Sequence, residues 1–523
     1  MMVSKTIDVG SISITLAIYK LYKCNIFFNF IIEKFYNAYK KLVFYFLFFL
    51  VYYKANRRKN MNDLDNLKYL FEFNNLYFNK IINDTSLLES DIEKIKKIVN
   101  ALKMQGEISD FFIWKLSSLL DYNDLKKKGK TSEEIKRWQR EDESYIESVK
   151  KEIAEIKEKR DFMFGYPANM LVGSATVSYL KKLETELFFM NNCGSPEEQG
   201  NYQMDNKKME MEIVKLILEN LNLTIDDYCG YITTGGTEGN IQGINLGLKK
   251  YPNAYLYYSE EAHYSINKCN SNPEKNKVIK TKNGKIDVDL LINEVVNNYQ
   301  KEKVPAIIFL TFGTTKGGII DDIELIKKEL ERREIPNYIH VDAALYGGIP
   351  SNQLNAPKLN FKEIDVDSIS VSFHKYLGIT RSNGILIFKR KKINNYVDYI
   401  GQNDTTLSGS RDFNPYSAYQ QIKEVFKRSS ELEYDENIEY FIQELNNYGI
   451  NFIQGDAKGN IFLIEKPSDE LCKKYQLATF VGTDKEYAHV IIFPFHSKDI
   501  IKQLVIDLSK EKNKETNKIL IKK

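Results

Sequence analysis

The sequence predicts an α/β protein, with a large domain around a mostly parallel β-sheet that carries helices on both faces and a smaller α+β domain after it. Between residues 162 and 395, short apolar runs alternate with segments of helical periodicity, the pattern of strands joined by crossover helices. Beyond residue 416 a second set of helices and strands follows. The 523-residue chain is long enough to hold two or three such domains.

Six apolar runs are predicted to be strands of the large domain, and helical segments such as Met209–Leu221 and Asp321–Arg333 separate several of them. Before them, residues 61–160 show helical spacing, with opposite charges three or four residues apart. We therefore divide the chain into an N-terminal extension (1–60), a helical segment (61–160), a large domain (161–395), and a loop with a small C-terminal domain (396–523). The six runs are Tyr231–Thr234, Ala254–Tyr258, Ala306–Leu310, Tyr338–Val341, Ser368–Val371 and Ile385–Phe388.

Residues 1–60 differ in character from the rest of the chain. They carry ten Lys/Arg against two Asp/Glu, and two apolar runs at Ile26–Ile32 and Leu42–Tyr53. Both runs are shorter than the roughly 20 residues of a membrane-spanning helix, and no small-residue cleavage site of a secretory signal follows them. Three interpretations stay open: a peripheral membrane anchor, a helix buried against the body, or sequence upstream of a start at Met61.

Charge and cysteine usage exclude two classes of function. Downstream of residue 60 there are 64 basic and 69 acidic residues, without the basic excess of a nucleic-acid-binding protein. The five cysteines are scattered, odd in number and free of C-x-x-C spacing, which argues against a disulfide scaffold or a metal site. The same usage is typical of a reducing compartment, so we expect a cytoplasmic protein. Under the anchor interpretation it would also contact a membrane through residues 1–60.

Polar residues follow the predicted strands, where ligands of parallel sheets bind. After the first run, residues 235–240 (Gly-Gly-Thr-Glu-Gly-Asn) lead into a helix and suit a phosphate, although a turn without a ligand is the alternative reading. Asp342 follows the fourth run and is costly to bury unless it is paired with a cation. Lys375 follows the fifth run, where burial favours the neutral amine that forms a Schiff base with an aldehyde. His263 and Thr311 follow the second and third runs.

Together these residues meet the requirements of pyridoxal phosphate: a phosphate site, an acid for the ring nitrogen, a flat side chain and an amine. The sequence also resembles the group II pyridoxal-phosphate amino-acid decarboxylases, in the branch that contains histidine decarboxylase and serine decarboxylase, over roughly Phe162–Leu508. The motifs that carry the resemblance are Phe164–Asn169, Asn191–Pro196, Gly236–Asn240, His263–Ser265, Gly313–Thr315, Asp342–Ala344, Ser372–Lys375, Asp404–Arg411, Tyr475–Ala478 and Ala488–Val490.

The resemblance implies an aspartate-aminotransferase-like fold (fold type I) with a seven-stranded sheet and a homodimer whose subunits share active sites. The segment Thr405–Arg411 would then cross the dimer interface. It also implies that Lys375 binds the cofactor covalently, that Asp342 pairs with the ring nitrogen and that His263 stacks on the ring and contacts substrate. The other implied residues are Gly236, Thr237, Thr311, Ser372 and His374 at or near the phosphate, Ala344 on the opposite ring face, and Tyr166, Asn169 and Asn192 in the substrate pocket.

The resemblance implies decarboxylation of an L-amino acid to its amine and carbon dioxide, with histidine as the leading substrate and serine second. The alternatives are an aldehyde-lyase similar to sphingosine-phosphate lyase and a catalytically silent binding subunit. The chain departs from the family in three places. Ser195 stands where relatives carry Asp, Phe413 stands where they carry Gly, and residues 480–486 look like an insertion between two tail motifs.

We expect a chain that begins at Met61 to fold, bind pyridoxal phosphate and turn over normally, because every implied site residue lies at Tyr166 or beyond. It should lose any binding to anionic vesicles, since each basic residue near such a surface contributes about 1 kcal/mol. Vesicle sedimentation and an activity assay on both chain lengths test this. An insoluble or inactive shorter chain would mean that residues 1–60 belong to the folded body.

Overall fold

The computed structural model describes residues 129–521, apart from 171–172, 186–189, 270–272, 354–355, 391–394, 412, 428–433, 457 and 483–484. The predictions for residues 1–60 and for most of 61–160 lie outside this part of the chain. Within it, no helix is long and apolar enough to cross a membrane. The chain divides into two compact units, residues 1–153 and 154–523.

Helix α1 shows the pattern predicted for the charged segment before the large domain. It begins at Ser132, has acidic residues in its first turn and basic residues in its last, and so complements the helix dipole at both ends. The helices are α1 (Ser132–Arg160), α2 (Ala175–Glu184), α3 (Lys207–Asn220), α4 (Gly236–Lys250), α5 (Val288–Glu302), α6 (Ile323–Arg332), α7 (Phe361–Ile364), α8 (Pro415–Lys427), α9 (Tyr434–Asn447), α10 (Asp469–Lys474) and α11 (Lys498–Ile521).

A seven-stranded sheet forms the centre of the described part of the large domain, in the order β1-β9-β8-β7-β6-β2-β3. Every neighbouring pair is parallel except the two that involve β9, which is antiparallel to both β1 and β8. The predicted mostly parallel sheet is therefore confirmed. Its strands are β1 (Tyr228–Thr233), β2 (Tyr255–Ser259), β3 (Asn276–Ile279), β6 (Ala306–Thr311), β7 (Asn337–Asp342), β8 (Ser368–Ser372) and β9 (Gly384–Lys389). Two small hairpins pair β4 (Thr281–Lys282) with β5 (Lys285–Ile286) and β10 (Tyr396–Val397) with β11 (Gln402–Asn403).

Both faces of the sheet are covered, as alternate residues of β6 show. Ile307 and Phe309 are buried in one cluster with Ile244 of α4. Ile308 and Leu310 are buried in the other cluster, with apolar residues of α3, α5 and α6. Because successive side chains of a strand point to opposite faces, a strand covered on both sides has a continuous apolar run, and that run made β6 recognisable in the sequence. The edge strand β3 lacks such a run and was not predicted.

The C-terminal part of the chain forms a separate four-stranded antiparallel sheet, in the order β12-β13-β15-β14. Its strands are β12 (Phe452–Gln454), β13 (Ile461–Glu465), β14 (Ala478–Val481) and β15 (Glu486–Ile491). The insertion-like stretch at 480–486 includes the last residues of β14 and the first residue of β15, and Phe480 pairs with Tyr487 so that the two rings stack. The expectation of a small α+β unit agrees with this sheet, while the domain boundaries stay a prediction.

A buried ion pair ties the loop before α8 to the large domain. Glu210 on α3 and Arg411 are both almost inaccessible to solvent, and Arg411 Nη2 lies 3.2 Å from Glu210 Oε2. Glu210 also accepts hydrogen bonds from the Ile232 backbone N–H at 2.9 Å and the Asn192 amide at 2.7 Å. A buried carboxylate with this many donors depends on all of them, because water cannot replace a lost partner.

We expect Arg411→Met to lower the free energy of unfolding by about 3–5 kcal/mol, because Glu210 keeps its buried charge and loses its counter-ion. The matched control is Lys215→Met on the same helix, because Lys215 pairs with Glu212 in an exposed ion pair. That change should cost about 0.5 kcal/mol or less. Urea unfolding of the two variants checks this, and equal shifts of the midpoint would show that the buried pair contributes no more than the exposed one.

Candidate active site

The carboxyl ends of the parallel strands bring the sequence-predicted residues to one edge of the sheet. Thr311 at the end of β6 pairs with Asp342 at the end of β7, and Asp342 pairs with Ser370 of β8. Thr233 of β1 and Ser372 of β8 flank the same residue of β9, Gly384. The strand order therefore brings residues that are far apart in sequence next to each other along one edge of the sheet.

The turn between β1 and α4 forms a concave cradle. Gly235 has φ +153° and ψ 175°, a region open almost only to glycine, and α4 begins after it without a side-chain cap. A Cβ on Gly236 would lie 2.6 Å from Ser372 Oγ and 3.7 Å from Ala344 Cβ, and one on Gly235 would lie 4.0 Å from His374. Backbone N–H groups at a helix start, beside a hydroxyl and an imidazole, suit an anion such as phosphate.

Lys375 lies in the turn between β8 and β9. Burial lowers the pKa of its amine, and the Asp342 carboxylate partly opposes that shift. Its backbone carbonyl accepts a hydrogen bond from the Asn169 N–H at 2.9 Å, while the Asn169 amide donates to Tyr376 O at 2.8 Å. The backbone is thus fixed on one side, and the amine has the desolvated setting expected of a Schiff-base lysine.

Asp342 is 5% exposed and is held by two donors. The Ala344 backbone N–H donates to Oδ1 at 3.1 Å, and the Asn240 amide donates to Oδ2 at 2.8 Å. The motif that contains Asn240 was recognised in the sequence, but no role was given to this residue. It lies in the second turn of α4, one helical turn after Gly236, on the face that meets the sheet, and that spacing is the signal that could have found it.

His263 begins a short 3₁₀-helix, Tyr264–Lys268, that follows β2. Its Nδ1 accepts the backbone N–H of Ser265 at 3.3 Å, which places the proton of the neutral ring on Nε2. Burial lowers the pKa of His263, Asp342 raises it and Lys375 lowers it. His263 therefore lies close enough to Asp342 and Lys375 for their charges to influence its pKa.

Thr311 offers an independent test of whether pyridoxal phosphate fits this edge of the sheet. Its hydroxyl is buried and has no hydrogen-bond partner among the described residues. Buried hydroxyls in proteins are rarely left without a partner, so an orphaned one indicates a missing ligand atom or water. With a cradle open at Gly236, a desolvated amine and a held carboxylate, the residues present fit the cofactor.

The three residues predicted for the substrate pocket lie in different settings. Tyr166 is 55% exposed and follows Gly165, whose carbonyl accepts a hydrogen bond from His489 Nε2 of β15. Asn169 is buried beside the Lys375 turn, as described above. Asn192 is buried with both ends of its amide in use, by Glu210 and by the Asn206 backbone N–H. A substrate contact stays a prediction for all three, and these hydrogen bonds do not favour it for Asn192.

The loop Asp404–Arg411 is fixed to the large domain at several points. Ser195 Oγ lies 2.9 Å from Thr405 Oγ1 and accepts the Thr405 backbone N–H at 3.2 Å. Ser408 Oγ donates to Glu238 Oε1 at 3.0 Å, and the Leu407 N–H donates to Tyr231 Oη at 3.2 Å. Ser195, one of the departures from the family pattern, thus serves to hold this loop.

Comparison with known proteins agrees with the geometry. Residues 246–422 match the family model described as the pyridoxal-dependent decarboxylase conserved domain. A histidine decarboxylase of Solanum lycopersicum is 33% identical over 374 residues, 68% of this chain and 87% of the relative. Serine decarboxylase 1 of Oryza sativa subsp. japonica is 30% identical over 369 residues, 68% of this chain and 74% of the relative. The L-methionine decarboxylase of Streptomyces sp.590 has a similar fold, with a TM-score of 0.60 and 20% identity over 71% of this chain and 96% of that one.

Gly236→Ala tests the cradle. The added Cβ would lie 2.6 Å from Ser372 Oγ, so the turn must shift and its hydrogen bonds to a phosphate weaken. We expect the half-saturating concentration of pyridoxal phosphate to rise about tenfold or more, as for the loss of a charge-assisted hydrogen bond. The control is Gly317→Ala, whose nearest neighbour would be the flexible end of the Ile319 side chain at 3.3 Å. If Gly236→Ala bound pyridoxal phosphate as tightly as the wild-type protein, the phosphate would not bind at this turn.

Proposed function

Since this chain belongs to the pyridoxal-dependent decarboxylase family and decarboxylates an amino acid with pyridoxal 5′-phosphate, we propose that Lys375, Asp342 and His263 carry out that reaction. The observation that carries the proposal is the desolvated amine of Lys375 beside the buried carboxylate of Asp342. An amine with a lowered pKa is the neutral nucleophile that reacts with an aldehyde near neutral pH. The family match also favours decarboxylation over the aldehyde-lyase alternative.

The turn at Gly236 and Thr237, together with Ser372 and His374, would hold the cofactor's phosphate. Its support is the uncapped start of α4 and the close approach of Ser372, whose Oγ would lie 2.6 Å from a Cβ added to Gly236. Thr311 would give its orphaned hydroxyl to the cofactor, and Ala344 would pack against the ring. These groups orient the ring but do not take part in proton transfer.

Asp342 would act on the ring nitrogen. When bound, the cofactor's ring takes up the electron pair that the departing carbon dioxide leaves on the substrate's α-carbon. The two N–H donors hold both oxygens of Asp342 in place, so this carboxylate could accept a hydrogen bond from a protonated ring nitrogen and stabilise its positive charge. The residue's contribution is electrostatic and is in place before the reaction starts.

His263 would contact both the ring and the substrate. With Nδ1 accepting the Ser265 N–H, the neutral imidazole carries its proton on Nε2. Burial lowers the pKa of His263, so the ring stays neutral at pH 7 and adds no positive charge beside Lys375. A neutral imidazole can lie flat against an aromatic ring and offer its Nε2–H to a carboxylate of the substrate.

A second copy of the chain would complete the site. The loop Asp404–Arg411 is held from inside the subunit by Ser195, Glu238 and Glu210, yet Leu407 is 43% exposed. The nearby Tyr396 and Tyr399 also leave most of their surface exposed. Large apolar and aromatic side chains presented on a fixed loop are typical of protein interfaces. These features support a homodimer in which this loop faces the partner's site.

Histidine is the leading substrate and serine the second, which rests on the names of relatives that are 33% and 30% identical. Both substrates would present an α-carboxylate and an α-amine to the same residues. They would differ only in the side chain that the pocket has to accommodate. The sequence identities to the two relatives are too similar to decide between histidine and serine, so the substrate has to be measured.

A substrate panel tests the proposed function. Purified protein with added pyridoxal phosphate should release carbon dioxide and form the corresponding amine from one amino acid, with histidine or serine giving the highest kcat/KM. Lys375→Ala should reduce turnover by at least about 10³-fold, as the removal of a covalent catalyst does. Turnover of a different amino acid would correct the substrate, and turnover that survives Lys375→Ala would overturn the assignment of the lysine.

A further inference from the structure

A chain of hydrogen bonds runs behind Asp342 into the core. Tyr338 Oη donates to Ser368 Oγ at 2.9 Å, and Ser368 Oγ lies 2.8 Å from His340 Nδ1. His340 Nε2 lies 3.0 Å from Asn240 Oδ1, and Asn240 Nδ2 donates to Asp342 Oδ2 at 2.8 Å. All five side chains are at most 5% exposed, so water does not compete for these bonds. These five residues are called the Asp342 relay below.

The roles of donor and acceptor in the relay follow from its two ends. A carboxylate at Asp342 needs the NH₂ group of Asn240, which leaves Asn240 Oδ1 facing His340 Nε2 as an acceptor. His340 must then carry its proton on Nε2, so its Nδ1 accepts from the Ser368 hydroxyl, and Ser368 Oγ accepts from Tyr338. Burial lowers the pKa of His340 to about 4, and the neutral ring is therefore the form present at pH 7. Every donor in the chain points toward Asp342.

Two glycines of helix α4 allow the helix to pack closely against the relay and the neighbouring Ser370. A Cβ on Gly243 would lie 2.2 Å from His340 Nδ1, and a Cβ on Gly239 would lie 2.3 Å from Ser370 Oγ. Only a residue without a side chain lets the helix come this close to the imidazole. His340 also lies against Phe309, with the ring centroids 5.4 Å apart. The imidazole is thus held in position by packing as well as by its hydrogen bonds.

We propose that His340 and Asn240 are positioning residues that fix the orientation of the Asp342 carboxylate toward the cofactor's ring nitrogen. This inference rests on the proposed role of Asp342. With His340 locked as the Nε2–H tautomer, the Asn240 amide cannot rotate without putting its oxygen against the carboxylate. The relay therefore orients the Asp342 carboxylate before the cofactor binds, and neither positioning residue needs to touch the cofactor.

The test compares binding of two cofactors to the apoprotein of the full chain: pyridoxal phosphate, and its analogue in which C–H replaces the ring nitrogen. The ratio of the two half-saturating concentrations isolates the interaction at the ring nitrogen, because the phosphate and aldehyde contacts are common to both. We expect the wild-type protein to prefer pyridoxal phosphate. His340→Leu and Asn240→Leu should each reduce that preference about tenfold, the usual effect of losing a hydrogen bond to a charged group.

Two variants serve as matched controls. His340→Gln can place an N–H donor where Nε2 stands, so it should retain most of the preference that His340→Leu loses. Ile244→Val, on α4 but outside the relay, changes only apolar packing and should leave the ratio unaltered. If His340→Leu misfolds, nitrogen NMR of wild-type protein labelled at its five histidines gives a second measurement, with His340 predicted to be the neutral Nε2–H tautomer.

The outcomes separate this inference from the function on which it rests. If Asp342→Asn does not reduce the preference for the ring nitrogen, the role of Asp342 itself is wrong. If Asp342→Asn reduces it while His340→Leu and Asn240→Leu keep the wild-type ratio, the Asp342 role stands and the relay inference fails. An Nδ1–H tautomer at His340 would also overturn the relay, because Asn240 would then have no donor facing its oxygen.

Discussion

The structure depends on the hydrogen bonds that allow a carboxylate, Asp342, to be buried inside the large domain at the edge of its sheet. Burial of Asp342 is costly on its own, and the Ala344 N–H and the Asn240 amide offset that cost by donating to its two oxygens. The same burial lowers the pKa of Lys375, for which Asp342 is the opposing charge. One desolvated pocket therefore holds both the carboxylate of Asp342 and the amine of Lys375, and the other site residues are arranged around that pair.

Topology explains how one pocket can do this. Thr311, Asp342 and Ser370 occupy adjacent register positions on three parallel strands, and the uncapped start of α4 lies above them. The loop Asp404–Arg411 is held to the same domain by buried carboxylates, at Glu210 and Glu238. The strands, the start of α4 and the loop thus meet at one edge of the sheet, and each supplies a few functional groups.

The strands were predictable because apolar runs mark strands covered on both faces, and the polar residues at their ends follow each run directly in the sequence. Contacts between segments that are distant in the sequence could not be predicted in this way. Asn240 meets His340 across one hundred residues, and neither forms a motif whose spacing reveals the contact. Asn192 was assigned to substrate from a motif, whereas its amide is used inside the domain by Glu210. Strand β3 was missed because it lies at the sheet edge and only two of its four residues, Val278 and Ile279, are apolar.

The most direct test of the account is to locate the cofactor on the chain. Protein incubated with pyridoxal phosphate would be reduced with borohydride, digested and analysed by mass spectrometry, which marks the lysine that formed the Schiff base. Lys375 is one of many lysines in this sequence, and burial lowers the pKa of its amine. The account predicts a stoichiometric adduct on the peptide that contains Lys375. An adduct on another lysine, or none, would contradict it.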